Sequence, residues 1–358
     1  MMQAPIALLL GLFVHLCLGQ NFTVQAGYHV IYSYAGRTPP TELSTYIRQG
    51  IVGGIVIFGD NVDDNLPDNI EGWQAAFAES PAYNGAPLLI FTDQEGGEIS
   101  RLPGGPTLSE AEIGQASNPE NAAETAGSQA ASIMKDYNLN ANLAPVLDVF
   151  RTPGDFDDQY ERSYSQNATL AGICANAFIS TQQAAGVLSS AKHFPGLGTA
   201  SSTQNTDEVP VTLNVSLDEL RSIDEVPYKA AISAGVEMIM PSWALYPSYD
   251  SEYPSGMSSK WIQNELRGRL GFTDIVTVSD AIEAGALEAF GDDPNRAVLA
   301  ARAGMDIILC GRKTLAQGVG IVKELASQLN SGSLNQTAFD ESTDRILRMR
   351  RKLASSSS

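Results

Sequence analysis

The sequence predicts an α/β fold in which a single domain forms a (β/α)₈ TIM-like barrel. Short apolar runs rich in β-branched residues alternate about eight times with segments of helical period, which favours a closed parallel barrel over an open doubly wound sheet. Most of these runs are apolar throughout, as parallel strands covered on both faces are. Gly36 stands alone after the first run, so the glycine-rich turn of a nucleotide-binding open sheet is missing.

The elements follow one another regularly along the chain. The predicted strands span residues 29–34, 54–58, 87–92, 142–149, 186–193, 237–241, 275–280 and 306–310. After the fourth strand, apolar residues recur at i, i+3, i+4 and i+7, which predicts a helix with one buried face. That face would comprise Leu170, Ile173, Cys174, Ala177, Phe178 and Thr181. Ser216 and Glu219 have capping-box spacing and predict the start of a later helix.

The chain divides into three predicted parts: a signal peptide over residues 1–19, the barrel domain over 20–353 and a disordered tail over 354–358. The apolar run 5–18 has the length of a signal-peptide core and is too short to span a membrane. We therefore expect a secreted, extracellular protein. Asn-x-Ser/Thr sequons predict N-glycosylation, and they begin at Asn21, Asn167, Asn214 and Asn335.

Composition narrows the possible partners. The formal net charge of −19 would repel nucleic-acid phosphates and anionic membranes, so we expect neither as a partner. Beyond the signal peptide, only Cys174 and Cys310 remain; they could form one disulfide, but their apolar surroundings favour two buried thiols. With three histidines and no Cys/His cluster, the sequence predicts no metal and no cofactor.

Polar residues end several of the predicted strands. Asp93 follows the third strand, Asp148 ends the fourth, Lys192 and His193 end the fifth, and Asp280 ends the seventh. In a (β/α)₈ barrel the carboxyl ends of the strands meet at one rim, where catalytic residues lie. A single aspartate at a strand end is often a helix cap. Acids and bases at the ends of several strands predict an active site at this rim.

These residues lie in motifs that resemble glycoside hydrolase family 3, in particular its single-domain β-N-acetylhexosaminidase branch. The motifs occur in the family's order over nearly all of the chain beyond residue 19. They are Gly-Gly-Ile-Val-Ile-Phe at 53–58, Asp-Gln-Glu-Gly-Gly at 93–97, Glu-Arg-Ser-Tyr-Ser at 161–165, Lys-His-Phe-Pro-Gly at 192–196 and Val-Ser-Asp-Ala at 278–281. The resemblance implies a (β/α)₈ glycosidase with a carbohydrate substrate.

The resemblance also implies roles for individual residues. Asp280 would be the nucleophile of a retaining mechanism, which forms a covalent glycosyl-enzyme that water then opens; its alternative role is to cap a helix beginning near Ala281. The remaining implied residues bind the sugar, with a carboxylate accepting from hydroxyl groups and cations donating to them. They are Asp93, Arg101, Arg162, Lys192 and His193, for which a loop cap or ordinary ion pairs are the alternatives.

One part of the family pattern is missing. This branch usually carries an acid/base histidine, paired with an aspartate, on the loop after the fifth strand. Here Leu197 replaces one histidine of that region, and residues 199–207 contain none. The three histidines of the chain are His15 in the signal peptide, His29 on the first strand and His193.

Three alternatives follow from this departure. Asp207 on the same loop could donate the proton, although capping the following turn would also explain it, and Glu95 and Glu98 are weaker candidates. The enzyme could instead work without strong acid assistance, or pass the sugar to phosphate. Finally, the chain could be a carbohydrate-binding relative that no longer hydrolyses. The leading expectation is cleavage of terminal β-linked N-acetylhexosamine, with glucose as the alternative sugar.

Overall fold

The computed structural model describes residues 22–355 and forms a closed barrel of eight parallel strands, which confirms the predicted fold class. Each strand pairs with its neighbours along the chain, and the eighth pairs with the first. The predicted signal peptide, the sequon at Asn21 and residues 356–358 lie outside the described residues. Within residues 22–355, no helix combines the length and the apolar character needed to cross a membrane.

All eight predicted strands contribute to the barrel. The strands are β1 Val30–Tyr32, β2 Gly54–Val56, β3 Leu89–Thr92, β4 Ala141–Asn142, β5 Leu188–Phe194, β6 Met238–Pro241, β7 Val276–Ala281 and β8 Ile307–Leu309. Directly after β3, a short antiparallel hairpin pairs Gln94–Gly96 with Ile99–Ser100.

Helices surround the barrel. The α-helices are α1 Phe22–Gly27, α2 Thr41–Arg48, α3 Leu66–Ala78, α4 Glu110–Gln115, α5 Pro119–Asp136, α6 Ala168–Ala184, α7 Leu217–Glu219, α8 Val226–Ser233, α9 Asp293–Ala303, α10 Leu315–Asn330 and α11 Gln336–Ser355. The π-helical segments are Leu220–Asp224 and Lys260–Arg269. The 3₁₀ segments are Gly59–Asn61, Asp158–Tyr160, Ser255–Met257 and Gly285–Phe290. The helix α11 extends two residues beyond the predicted domain boundary at 353.

The fourth strand is much shorter than predicted. Regular pairing ends at Asn142, whose side chain binds the backbone of Gln94 through two hydrogen bonds of 2.9 and 3.0 Å. Pro145 then interrupts the ladder because it has no N–H to donate. The chain still runs beside β5, since Pro145 accepts a hydrogen bond from the Lys192 N–H at 3.2 Å. The apolar run 142–149 is therefore buried as predicted but is not one regular strand.

The predicted face of α6 is only partly correct. Cys174, Ala177 and Phe178 are buried, but Ile173 is exposed. The helix packs against both α5 and α8, so its buried arc is wider than one stripe. The approach to α5 is close, because a Cβ on Gly127 would lie 2.5 Å from the Phe178 carbonyl oxygen. Cys174 and Cys310 are both buried free thiols.

The barrel interior is filled by one apolar cluster with residues from every strand. Ile346, Met349 and Leu353 of α11 belong to the same cluster. The Arg350 guanidinium donates to the Pro87 carbonyl oxygen, just before β3, which places α11 at the amino ends of the strands. Within residues 22–355, α11 therefore covers the end of the barrel at which the strands begin.

Candidate active site

A cavity of about 450 Å³ opens at the carboxyl ends of the barrel strands. Its apolar lining includes Val56, Leu143, Met240 and Leu309, which also belong to the interior cluster of the barrel. The residues predicted to act as nucleophile, leading proton-donor candidate and sugar ligands all line this cavity: Asp280, Asp207, Asp93, Arg101, Arg162, Lys192 and His193. Residues from six different strand ends and loops thus meet in one place.

Buried ion pairs form one wall of the cavity. The Lys192 ammonium lies 2.9 Å from an Asp93 oxygen and 2.7 Å from a Glu95 oxygen. Arg162 contacts both Glu95 oxygens, at 2.8 and 2.9 Å. Burial alone would raise the pKa of Glu95, but Arg162 and Lys192 together hold it well below its ordinary value. Conversely, the neighbouring carboxylates outweigh burial and raise the pKa of Lys192, so Glu95 and Lys192 both stay charged.

Neither Glu95 nor Glu98 is placed to donate a proton to a ligand in the cavity. Glu95 is ionised and has both oxygens bound to cations, so it has no proton to give. Glu98 lies on the turn of the hairpin, is exposed, and does not line the cavity. The role of Glu95 is to position Arg162 and Lys192.

His193 is held by a second buried set of carboxylates. Its Nδ1 lies 2.7 Å from an Asp148 oxygen, and the Leu197 N–H donates to the other Asp148 oxygen at 2.6 Å. Burial opposes the charged imidazolium, but Asp148 outweighs it and raises the pKa of His193. Burial also raises the pKa of Asp157 to about 7. His193 therefore faces the cavity as a hydrogen-bond donor with a fixed ring orientation.

Asp148, Asp157 and His193 are also the described residues whose spacing would suit a metal ion, with ligand atoms within 4.8 Å of one another. Their surroundings disfavour a cation. The Arg162 guanidinium lies 2.9 Å from Asp157 and adds a positive charge beside the set. The His193 Nδ1 is already engaged by Asp148. The three residues fit a hydrogen-bonded chain better than a metal site.

Asp280 lies at the end of β7, as predicted, and is partly exposed to the cavity. One of its oxygens accepts a hydrogen bond from the Ala281 N–H at 2.7 Å. The alternative role as a helix cap is not found, because the next helical segment is Gly285–Phe290 and Ala284 occupies its N-cap. The Asp280 carboxylate is thus presented to the cavity by the strand itself.

Asp207 lies on the loop after β5 and faces the same cavity from its solvent-exposed rim. The negative charge of Asp280 is the main cause that raises the pKa of Asp207 to about 6, and burial adds to it. The two carboxyl groups therefore interact electrostatically, and Asp207 holds its proton more readily than a free aspartate does.

The backbone fixes this loop against the segment that follows Asp280. The Gly285 N–H donates to the Asp207 carbonyl oxygen at 2.7 Å, and the Ala286 N–H donates to the Thr206 carbonyl oxygen at 3.0 Å. Only glycine fits at position 285, since a Cβ there would lie 2.1 Å from the Glu208 carbonyl oxygen. We call these two hydrogen bonds the loop clamp; they hold the backbone at Thr206 and Asp207 against the segment that follows Asp280.

Sequence reasoning missed several residues of the site. Asp157 anchors Arg162 from within an irregular loop, where no motif marks it. Glu110 is buried beside Glu95 and accepts from the Val146 N–H at 2.9 Å; burial and the Glu95 charge raise its pKa well above the ordinary value. Glu110 directly follows Ser109, the N-cap of α4, and nothing in its local sequence marks it as a buried acid.

Known proteins resemble this chain over most of its length. Residues 21–349 match the family described as glycosyl hydrolase family 3 N terminal domain. A relative named uncharacterized secreted glycosyl hydrolase, from Arthroderma benhamiae, is 49% identical over 93% of this chain and 94% of its own. A relative named beta-hexosaminidase, from Stenotrophomonas maltophilia, is 31% identical over 85% of this chain and 88% of its own.

Solved structures give the same result. A glycoside hydrolase family 3 β-N-acetylglucosaminidase from Paenibacillus sp. superposes with a TM-score of 0.85 at 29% identity, covering 93% of this chain and 62% of the other. A β-N-acetylhexosaminidase from Beutenbergia cavernae has a TM-score of 0.81 at 26% identity, covering 92% and 98%. The chain therefore belongs to glycoside hydrolase family 3, and the predicted fold and glycosidase class are confirmed.

Substitution of Gly285 should release the loop clamp. In Gly285→Ala, the new Cβ displaces loop 206–208, so two hydrogen bonds are lost and the free energy of unfolding falls by about 1–3 kcal/mol. Amide hydrogen exchange at residues 285 and 286 should become faster. Gly72→Ala in α3 is the control, because no heavy atom lies within 4 Å of the added Cβ. Unchanged exchange in Gly285→Ala would show that the clamp does not hold the loop.

Proposed function

We propose that this chain is a secreted, exo-acting glycosidase that removes terminal β-linked N-acetylhexosamine with retention of configuration. The observation that carries the proposal is the pair formed by Asp280 and Asp207 in one cavity, where the charge of Asp280 raises the pKa of Asp207 to about 6. Such a pair supplies an ionised nucleophile and a protonated acid at the same pH. The names of the relatives from Stenotrophomonas, Paenibacillus and Beutenbergia support the choice of sugar.

In the first step, an Asp280 oxygen attacks the anomeric carbon, and the bond from that carbon to the glycosidic oxygen breaks. Asp207 transfers its proton to the departing oxygen, which leaves as a hydroxyl group. In the second step, Asp207, now a carboxylate, takes a proton from water as the water oxygen attacks the anomeric carbon and displaces Asp280. The loop clamp supports this division of roles because it ties the backbone at Asp207 to the segment that follows Asp280, and both carboxylates line one cavity.

The wall of ion pairs would bind the hydroxyl groups that do not react. Asp93 accepts from two of them, while Lys192, Arg162 and His193 donate, and each of these bonds involves a charged group. The Arg101 Nε is buried without a hydrogen-bond partner and lines the same cavity, so it offers one more donor. The barrel interior below the cavity is filled by apolar side chains, so a sugar chain that inserts into the cavity must do so by its end, which favours removal of a terminal residue over cleavage within a chain.

Replacement of the nucleophile should abolish turnover. In Asp280→Asn, the neutral amide cannot form the glycosyl-enzyme, so kcat/KM on 4-nitrophenyl N-acetyl-β-glucosaminide should fall by about 10³-fold or more. The control is Glu98→Gln, which neutralises an exposed carboxylate outside the cavity and should leave the rate unchanged. Near wild-type turnover of Asp280→Asn would refute the assignment.

The pH dependence of kcat/KM should reveal the proton donor. Asp207 holds its proton below about pH 6 and loses it above, so kcat/KM on glycosides with poor leaving groups should decline as pH rises through that value. In Asp207→Asn this limb should disappear, and the rate on such substrates should fall by about 10²–10⁴-fold. Aryl glycosides, whose leaving groups depart without help, should lose much less.

The outcomes of this comparison separate the alternatives. An equal loss on aryl and alkyl glycosides would argue against Asp207 as the acid. Turnover of aryl glycosides alone by the wild type would indicate an enzyme without strong acid assistance. Binding of N-acetylglucosamine without turnover of any glycoside would indicate a carbohydrate-binding relative. Comparing β-glucosides with β-N-acetylglucosaminides in the same assay decides the sugar.

The proposal includes export of the chain and N-glycosylation at its sequons. Asn167, Asn214 and Asn335 are exposed, as acceptor sites must be. When the chain is secreted from a eukaryotic host, we expect an N-glycan at each of them. Treatment with an enzyme that removes N-glycans should lower the mass, and each Asn→Gln substitution should remove one step of that change. A protein that reaches the medium with an unmodified mass would contradict this prediction.

A further inference from the structure

Tyr160 is an aromatic side chain that reaches solvent at the edge of the cavity. Its exposed fraction is 47%, and it lines the cavity. The large hydrophobic side chains exposed within residues 22–355 are Tyr83, Leu108, Tyr160, Ile173 and Val209. Of these five, only Tyr160 lines the cavity. An exposed tyrosine at the mouth of a sugar-binding cavity offers a flat apolar face to a ligand.

The position of the Tyr160 ring is fixed by its surroundings. The Phe156 ring packs against it edge-on, with ring centroids 5.8 Å apart and an interplanar angle of 78°. Phe156 is itself nearly buried, and its N–H donates to the Ala200 carbonyl oxygen at 2.8 Å. The Tyr160 N–H donates to the Asp157 carbonyl oxygen at 3.2 Å, so backbone and ring are both held. Little conformational entropy remains to be lost when a ligand stacks on the ring.

Tyr160 lies on a loop that contacts the loop carrying the proposed proton donor, and both residues line the cavity. The loop that carries it is tied to the chain segment that leads to Asp207. Besides the bond from Phe156 to Ala200, the Gln159 side chain donates to the Ser202 carbonyl oxygen at 2.8 Å. The acid of a glycosidase faces the departing oxygen, so groups around the acid face the leaving group.

We propose that Tyr160 forms the subsite for the leaving group, and that this subsite takes a second β-linked pyranose. Such a ring carries its hydroxyl groups near its plane and presents C–H bonds on its face, which packs on an aromatic ring. Small alkyl leaving groups have no such face. The proposal rests on the proposed function, since it assigns the leaving-group side from Asp207.

The test compares two leaving groups in matched tyrosine variants. The substrates are the β-1,4-linked disaccharide of N-acetylglucosamine and methyl N-acetyl-β-glucosaminide. In Tyr160→Ala, kcat/KM for the disaccharide should fall about 2- to 10-fold, mainly through KM, with no change for the methyl glycoside. Tyr160→Phe keeps the ring and should behave as the wild type. Tyr83→Ala is the control, because Tyr83 is also 47% exposed and packs edge-on against Phe77.

A binding measurement distinguishes failure of the subsite from failure of the proposed function. Calorimetric titration of the disaccharide into Asp280→Asn, with and without Tyr160→Ala, should show the same 2- to 10-fold weakening without any turnover. Equal losses on both substrates, or equal binding in both variants, would overturn the subsite while leaving a hydrolytic wild type intact. Binding that depends on Tyr160 in a chain that hydrolyses nothing would support the subsite and refute the hydrolase. Absence of both turnover and binding would overturn both.

Discussion

The buried ion pairs around Glu95 are the interaction on which the rest of the site depends. This one carboxylate joins the hairpin after β3, the loop after β4 through Arg162, and β5 through Lys192. Each charge loses its water on burial and is compensated only by its partners, so removing one partner leaves an uncompensated charge that costs about 3–5 kcal/mol. The cations of the cavity wall therefore cannot shift one at a time. The geometry of this cavity wall is therefore fixed by the protein itself.

Much of this architecture could be predicted from the sequence, because burial on both faces leaves a strong apolar signal. All eight strands were identified, and the polar residues that end them do meet at one rim. The exception is informative. Residues 142–149 have the composition of a strand, yet Pro145 and the side-chain hydrogen bonds of Asn142 end the regular pairing early. The apolar composition of a segment predicts that it is buried, but it does not predict which of its backbone groups form hydrogen bonds with a neighbouring strand.

The rest of the site could not be predicted, because it consists of relations between segments far apart in the chain. From the sequence alone, Glu95 is a weak candidate for the proton donor. Its contacts with Arg162 and Lys192, which keep it ionised, are visible only in the fold. Asp157 and Glu110 carry no local pattern, and each owes its role to a partner in another loop. The loop clamp is made of backbone groups, to which side-chain motifs give no clue. The absence of a histidine on the loop was evident from the sequence, whereas the raised pKa of Asp207 requires its position near Asp280.

Because the loop clamp joins backbone groups only, the place of residue 207 does not depend on the side chain that it carries. A substitution there exchanges the chemical group while the frame around it stays the same. The same backbone would present an aspartate, a glutamate or a histidine at this position. The clamp separates the position of residue 207 from the chemistry of its side chain. A substitution at position 207 therefore changes which titratable group lines the cavity without moving the backbone that presents it.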